Sequence, residues 1–210
     1  GALSMKKLAL LGTGFLGGII ARAWREGLLP DYELAGITGR NAEKTAALAE
    51  EIGCPSFSDL EQLLHTAHPD IVAECAGVQA VKAHAEAILT SGADLVTLSI
   101  GAFADAGFYS RIAQIAKDSG TVVHIASGAV GGFDVARTIS LMGRVGDGVK
   151  GRIDTRKGPK SLQGTSLYAE DLLQAQRTVF SGNAKEAIAL LPTKVNVAVA
   201  TSLACSTPEE

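Results

Sequence analysis

Short, uninterrupted apolar runs alternate along the chain with longer stretches of helical period. Lys7–Leu11, Tyr32–Ile37, Asp70–Ala73, Leu95–Leu98 and Thr121–Ile125 read as strands. Between them lie helical stretches: Ile19–Leu28, a run capped by Asn41 and reaching Ile52, Val78–Ser91 closed by Gly92, and Ala104–Ser119 closed by Gly120. Ser58-Asp59-Leu60-Glu61 fits a capping box that opens a further short helix. Strands alternating with helices predict βαβ units and a parallel sheet. The strands are continuous apolar runs rather than alternating ones, as expected where helices cover both faces.

The texture changes at the glycine-rich joint Ser127-Gly128-Ala129-Val130-Gly131-Gly132. Beyond it, Phe133–Gly143, Ala184–Leu191 and Val195–Ala204 read as helices, and Val149–Thr155 alternates as a half-exposed strand does. The expectation is an α/β chain: a doubly wound parallel sheet over residues 1–128, with a smaller α+β domain over 129–210 for substrate and oligomer contacts.

The first βα junction carries chemistry. Gly12-Thr13-Gly14-Phe15-Leu16-Gly17 follows a strand, opens a helix and begins a βαβ unit, the context a Rossmann dinucleotide fingerprint requires. Gly12 permits the tight turn, Gly14 lets the backbone approach a pyrophosphate, and Gly17 lets helix and strand pack closely. Free N–H groups at the helix start then face the phosphates. An NAD-preferring site usually ends its second strand on Asp or Glu. Here the chain reads Gly36-Ile37-Thr38-Gly39-Arg40-Asn41, with no carboxylate. Arg40 suits a 2′-phosphate and Thr38 can donate a hydrogen bond, so NADP is favoured over NAD, with dual use as the alternative.

A substrate must lie near the carboxyl ends of the strands, against the nicotinamide. Glu74-Cys75-Ala76-Gly77, Ser99-Ile100-Gly101-Ala102 and Ser127–Gly132 fall there. Their small residues allow close approach to a flat ring; Cys75, Ala76 and Ser99 are taken as wall residues, and Cys75 is not read as a nucleophile. Arg152, Arg156, Lys157 and Lys160 cluster in an otherwise slightly acidic chain. Arg156-Lys157, read as a strand end, suit a small anion such as a dicarboxylate, whereas Lys160 reads equally well as a solvated loop residue.

The 210 residues carry 19 Lys+Arg against 22 Asp+Glu, a formal charge of −3 that gives no reason for a nucleic-acid surface. No apolar run has the length of a membrane span. Cys54, Cys75 and Cys205 are odd in number and lack metal or disulfide spacing, which favours a cytoplasmic setting. His65 and His68 read as surface residues, His84 as a helix flank and His124 as a core strand position; none has metal-site spacing, and none is assigned acid–base work. Gly1–Ser4 reads as a tag remnant before a native Met5.

In order along the chain, these blocks resemble the L-aspartate dehydrogenase family, including relatives of unassigned function. The resemblance runs from Lys6 to about Ala204. It rests on Gly12–Gly17, Ala73-Glu74-Cys75-Ala76-Gly77, Ser99–Asp105, Ser127–Asp134, Thr155-Arg156-Lys157-Gly158-Pro159, Phe180–Ala187 and Pro192 through Ala198. It implies interconversion of L-aspartate with iminoaspartate, or oxaloacetate plus ammonia, using NAD or NADP; some members feed NAD biosynthesis. It also implies cofactor contacts at Ala129 and Asn196, a dicarboxylate at Arg156-Lys157, and hydride transfer at the substrate's α-carbon. A homodimer is the default assembly.

Two departures accompany the resemblance. Lys194 stands where the family usually has Asn. The family's acid–base His falls beyond the position of Glu210, so the catalytic residue is left unassigned. That leaves a chain recorded in part, or a divergent member without the usual catalyst. Three functions therefore stand side by side: an NADP-preferring aspartate dehydrogenase, a non-catalytic nucleotide-binding sensor of the same ancestry, and an amino-acid dehydrogenase or imine reductase acting on another anion.

Overall fold

Six strands, β1 (Lys6–Leu11), β2 (Tyr32–Thr38), β3 (Ser56–Phe57), β4 (Ile71–Glu74), β5 (Asp94–Thr97) and β6 (Val123–Ile125), pair in parallel in the order β3-β2-β1-β4-β5-β6. The structure is a computed structural model and describes residues 5–128, 131–142, 151–191 and 196–205. It divides into two compact units, Gly1–Ala126 and Ser127–Glu210.

In the first unit the strands are joined by α1 (Phe15–Arg25), α2 (Ala42–Ile52), α3 (Leu60–Ala67), α4 (Val78–Thr90) and α5 (Ala106–Ser119). Leu8, Leu10, Leu34 and Ile37 of the sheet pack with Ala21 of α1 and Leu48, Ala49 and Ile52 of α2. Leu63, Val81, Ile88, Leu89, Leu95 and Ile112 are also fully buried. Each such Leu or Ile contributes about 1.5–3 kcal/mol of transfer free energy, enough to make the register of these elements unambiguous. Caps set the boundaries. Asn41 accepts from the Lys44 amide, Asp59 from Gln62 and Asp105 from Phe108, while Gly53 and Gly120 close α2 and α5 in the left-handed region.

Local expectations shift in three places. The cap of α3 is Asp59 rather than Ser58, which instead binds the Gln62 side chain through its amide at 3.1 Å. Strand β3 has only two residues, too few for a hydrophobic pattern to announce it. A 3-10 helix over Ile100–Ala104 precedes α5, which starts at Ala106 once Asp105 supplies the cap.

The second unit holds α6 (Phe133–Met142), α7 (Ala184–Leu190) and α8 (Asn196–Cys205), with 3-10 turns at Pro159–Leu162 and Glu170–Leu173. Helix α8 packs on α6 and α7 and buries Val199, Ala200, Ala204 and Cys205. The Ser140 hydroxyl donates to the Cys205 carbonyl at 3.1 Å. Helix α7 opens with a complete capping box between Asn183 and Glu186. The strand expected over Val149–Thr155 does not form in its described part: Gly151–Thr155 is exposed and irregular. Alternation makes a strand only where a neighbour pairs with it, and no strand is found among the described residues of this unit.

Candidate functional site

The order β3-β2-β1-β4-β5-β6 reverses direction between β1 and β4, so the crevice of this sheet opens at the ends of those two strands. Both strand ends are tied together through the backbone. The Gly12 amide donates to the Thr38 carbonyl at 2.8 Å, and the Cys75 amide to the Leu11 carbonyl at 2.8 Å.

The glycine loop lies in this crevice. Gly12 has φ +112°, and a Cβ there would stand 2.7–2.9 Å from the Cys75–Ala76 peptide. A Cβ on Gly17 would overlap the Gly12 carbonyl, so only glycine allows α1 to start this close to β1. At Gly14 a Cβ would meet nothing within 4 Å. This is open space directly before the first turn of α1, whose N-cap offers no side-chain acceptor. The amides there are therefore left for an anion, and a pyrophosphate fits both the space and the charge. Phe15 and Leu16 are exposed at the same mouth.

On the β2 side the loop is held by a hydroxyl relay. Thr45 donates to the Asn41 carbonyl at 2.8 Å, which leaves Thr13 as the donor in its 3.0 Å contact with Thr45. Arg40 is exposed, and its side chain makes no hydrogen bond or ion pair among the described residues. Thr38 requires a correction. It is 2% exposed and its hydroxyl donates to the Phe57 carbonyl at 3.1 Å, so its proton is committed to β3 and does not face a ribose. A shallow cavity beside this loop is lined by Gly39, Ala42, Thr45, Ser56, Phe57 and Ser58.

On the β4 and β5 side, Cys75 and Ala76 follow directly on β4, and Ser99 follows β5. Burial, reinforced by the Glu74 carboxylate, pushes the Cys75 thiol up to about 12. A thiol held protonated near neutrality is a wall residue and not a nucleophile. The organising group here is one that sequence reasoning did not assign. Glu74 is fully buried, and its carboxylate accepts from the amides of Ala76 and Gly77 (both 2.7 Å) and Ser99 (3.2 Å). It also accepts from the hydroxyls of Thr97 and Ser99, both at 2.8 Å. The available signal was a charged residue closing an otherwise apolar buried strand.

Arg156 and Lys157 belong to the second unit and lie on the exposed stretch Gly151–Gly158 rather than at a strand end. Arg152 directs its guanidinium to Asp154, with both nitrogen–oxygen distances at 3.1 Å. Asn196 is half-buried and begins α8; Ala129 and Lys194 lie outside the described residues. His124 is a further correction: on edge strand β6 it is half exposed, 3.6 Å from Asp94, and not in the core. His65 and His68 are exposed. Among the described residues no group of three or more His, Cys, Asp or Glu is placed to hold a metal, and no helix is long and apolar enough to cross a membrane.

Comparison with known proteins adds an independent line. Residues 12–126 match the NAD-binding domain family of homoserine dehydrogenase, and residues 134–210 match the C-terminal family of aspartate dehydrogenase. The L-aspartate dehydrogenase of Methanococcus maripaludis is 31% identical over 204 residues, covering 97% of this chain and 76% of that protein. The crystal structure of aspartate dehydrogenase from Thermotoga maritima superposes with a TM-score of 0.73 at 28% identity, covering 97% of this chain and 74% of that one. GenD2 of gentamicin A biosynthesis, solved in complex with NAD, shares the fold alone: 18% identity and TM-score 0.54, over 67% of this chain and 40% of that one. One family match lies on the glycine-loop sheet and the other on the helical unit, and the chain belongs to the L-aspartate dehydrogenase family.

Proposed function

We propose that the chain is an NADP-preferring aspartate dehydrogenase. It interconverts L-aspartate with iminoaspartate, which water converts to oxaloacetate and ammonia. The carrying observation is the glycine cradle, in which open space at Gly14 adjoins an α1 start without a side-chain cap, within a chain of this family. In the oxidative direction the α-carbon loses a hydride and the nitrogen a proton, leaving a C=N bond. When bound, the nicotinamide accepts that hydride.

The chain's own residues supply placement and charge. Gly12, Gly14, Phe15, Leu16 and Gly17 form the seat for the pyrophosphate. Arg40, exposed at the end of β2 with no carboxylate beside it, supports a 2′-phosphate and hence NADP over NAD. Cys75, Ala76 and Ser99 form the wall on the nicotinamide side in this reading, and Ala129 and Asn196 match family positions that contact the cofactor. Arg156 and Lys157 bind the two carboxylates of the substrate, as a planar fork and a point charge. The reading takes the enzyme as a cytoplasmic homodimer, in keeping with its sparse free cysteines and with the commonest symmetry of soluble enzymes.

Reductive amination tests this directly. The protein is mixed with oxaloacetate, ammonium and NADPH or NADH, and absorbance of the reduced cofactor is followed. Oxidation that needs both oxaloacetate and ammonium, and is faster with NADPH, is expected. Absence of turnover while the dinucleotide still binds would overturn the catalytic assignment.

A further inference from the structure

The buried carboxylate of Glu74 has no place in the chemistry above, yet it is the most heavily hydrogen-bonded side chain of the crevice. Its partners come from two different loops. Ala76 and Gly77 belong to the β4–α4 loop, whereas Thr97 and Ser99 belong to the end of β5 and the turn after it. All five groups donate. Three are backbone amides, and Thr97 accepts from the Ser99 amide at 3.2 Å, so its own proton goes to Glu74. No cation pairs with this carboxylate among the described residues; the donors alone hold the charge.

The position in the sheet gives this clamp a role. The pyrophosphate seat is at the end of β1, and the adenosine ribose belongs to the end of β2 on one side of it. The remaining half of a dinucleotide must therefore lie on the other side, over the ends of β4 and β5, where the two clamped loops stand. We propose that Glu74 is a positioning residue for the nicotinamide half of the cofactor: by holding the Cys75–Gly77 backbone and the Ser99 hydroxyl in one fixed arrangement, it builds the wall against which the ring is seated. This role rests on the dinucleotide reading above. It predicts a loss concentrated in ligands that carry the ring, because the Gly12 amide of the seat is held by the Thr38 carbonyl and not by Glu74.

The test is a paired binding measurement on the whole chain, with NADPH and with 2′-phospho-ADP-ribose, which lacks only the nicotinamide. Wild type, Glu74→Gln and Ser99→Ala are compared. Gln keeps the shape but presents an NH2 group to a ring of donors. Ser99→Ala removes a single donor and serves if the first variant folds poorly. For Glu74→Gln, affinity for NADPH is expected to fall by about tenfold or more, with that for 2′-phospho-ADP-ribose held within about threefold. Ser99→Ala is expected to move the same way by less. Equal losses for both ligands, or no loss for either, in variants of native circular dichroism would overturn the positioning role alone. A wild-type chain that binds neither ligand would overturn this role together with the functional reading.

Discussion

Two helices follow a glycine N-cap at the point where the sheet reverses, and they differ in what holds the amides that lead into them. Gly14 is the N-cap of α1 and Gly77 that of α4, and neither has a side chain to cap with, whereas α2, α3 and α5 are capped by Asn41, Asp59 and Asp105. At α4 the approach to the helix is tied from within: Glu74, delivered by β4, takes the amides of Ala76 and of the N-cap Gly77 at 2.7 Å, just ahead of the first turn. At α1 no side chain fills that place, and Gly14 adjoins open space. An internal carboxylate at one helix start and room for an anion at the other divide the labour, with α4 forming a rigid wall and α1 a seat.

The largest expected effect comes from closing the seat. In Gly17→Ala the new methyl overlaps the Gly12 carbonyl, and both partners are backbone, so neither yields cheaply. Affinity for NADPH and for 2′-phospho-ADP-ribose should fall together by about 100-fold, unlike the ring-confined loss at Glu74, as titration calorimetry would read. Loss of only the nicotinamide-bearing ligand would erase the distinction between the two helix starts. Next in size, Glu74→Gln should lower stability by about 1–3 kcal/mol in urea titration, because it leaves an unpaired polar group in a fully buried site. An unchanged midpoint would mean that the wall is not rigidly built.

Arg40→Ala sharpens the comparison on the seat side. NADPH affinity should drop about tenfold with NADH almost unaffected, the usual worth of one charge-assisted contact. A parallel loss of both would place Arg40 away from the 2′-position. Thr45→Val breaks the relay from Thr13 to Asn41 and should cost about 1 kcal/mol, with NADPH affinity falling only a few fold.

The smallest effect is an absence of reaction. With its thiol pushed up to about 12, Cys75 of the native protein should resist iodoacetamide at pH 8, by mass spectrometry, while denatured chain is labelled. An acid whose pKa is raised by folding adds stability that is fully present below its unfolded value and is lost as pH rises through the folded one. Cys75 therefore weakens the fold only in alkali, between the ordinary thiol range and about 12.

Much of this crevice was legible in the chain. Gly12, Gly14 and Gly17 announce a close approach because their spacing between a strand and a helix has few other physical uses. Asn41 and Gly120 mark helix ends by capping chemistry that acts within a few residues. What escaped depends on partners distant in sequence. Glu74 meets Ser99 across 25 residues, and Thr13 meets Thr45 across 32. Thr38 looked like a ligand donor until β3, two residues long, turned out to take its proton. In the second unit an alternating run suggested a strand at Val149–Thr155, but a period of two is only a half-buried surface until a neighbour supplies the other half. The same alternation places Arg156-Lys157 at a strand end, which does not form.

The pairing of a seat at α1 with a wall at α4 is tested most directly by titrating the unaltered chain with NADPH, NADH and 2′-phospho-ADP-ribose, followed by calorimetry. One site per chain is expected for each ligand, with NADPH the tightest and a measurable share of its affinity lost with the ring. Binding of neither dinucleotide, or equal affinity for NADPH and its ring-less analogue, would contradict a seat at α1 facing a wall at α4.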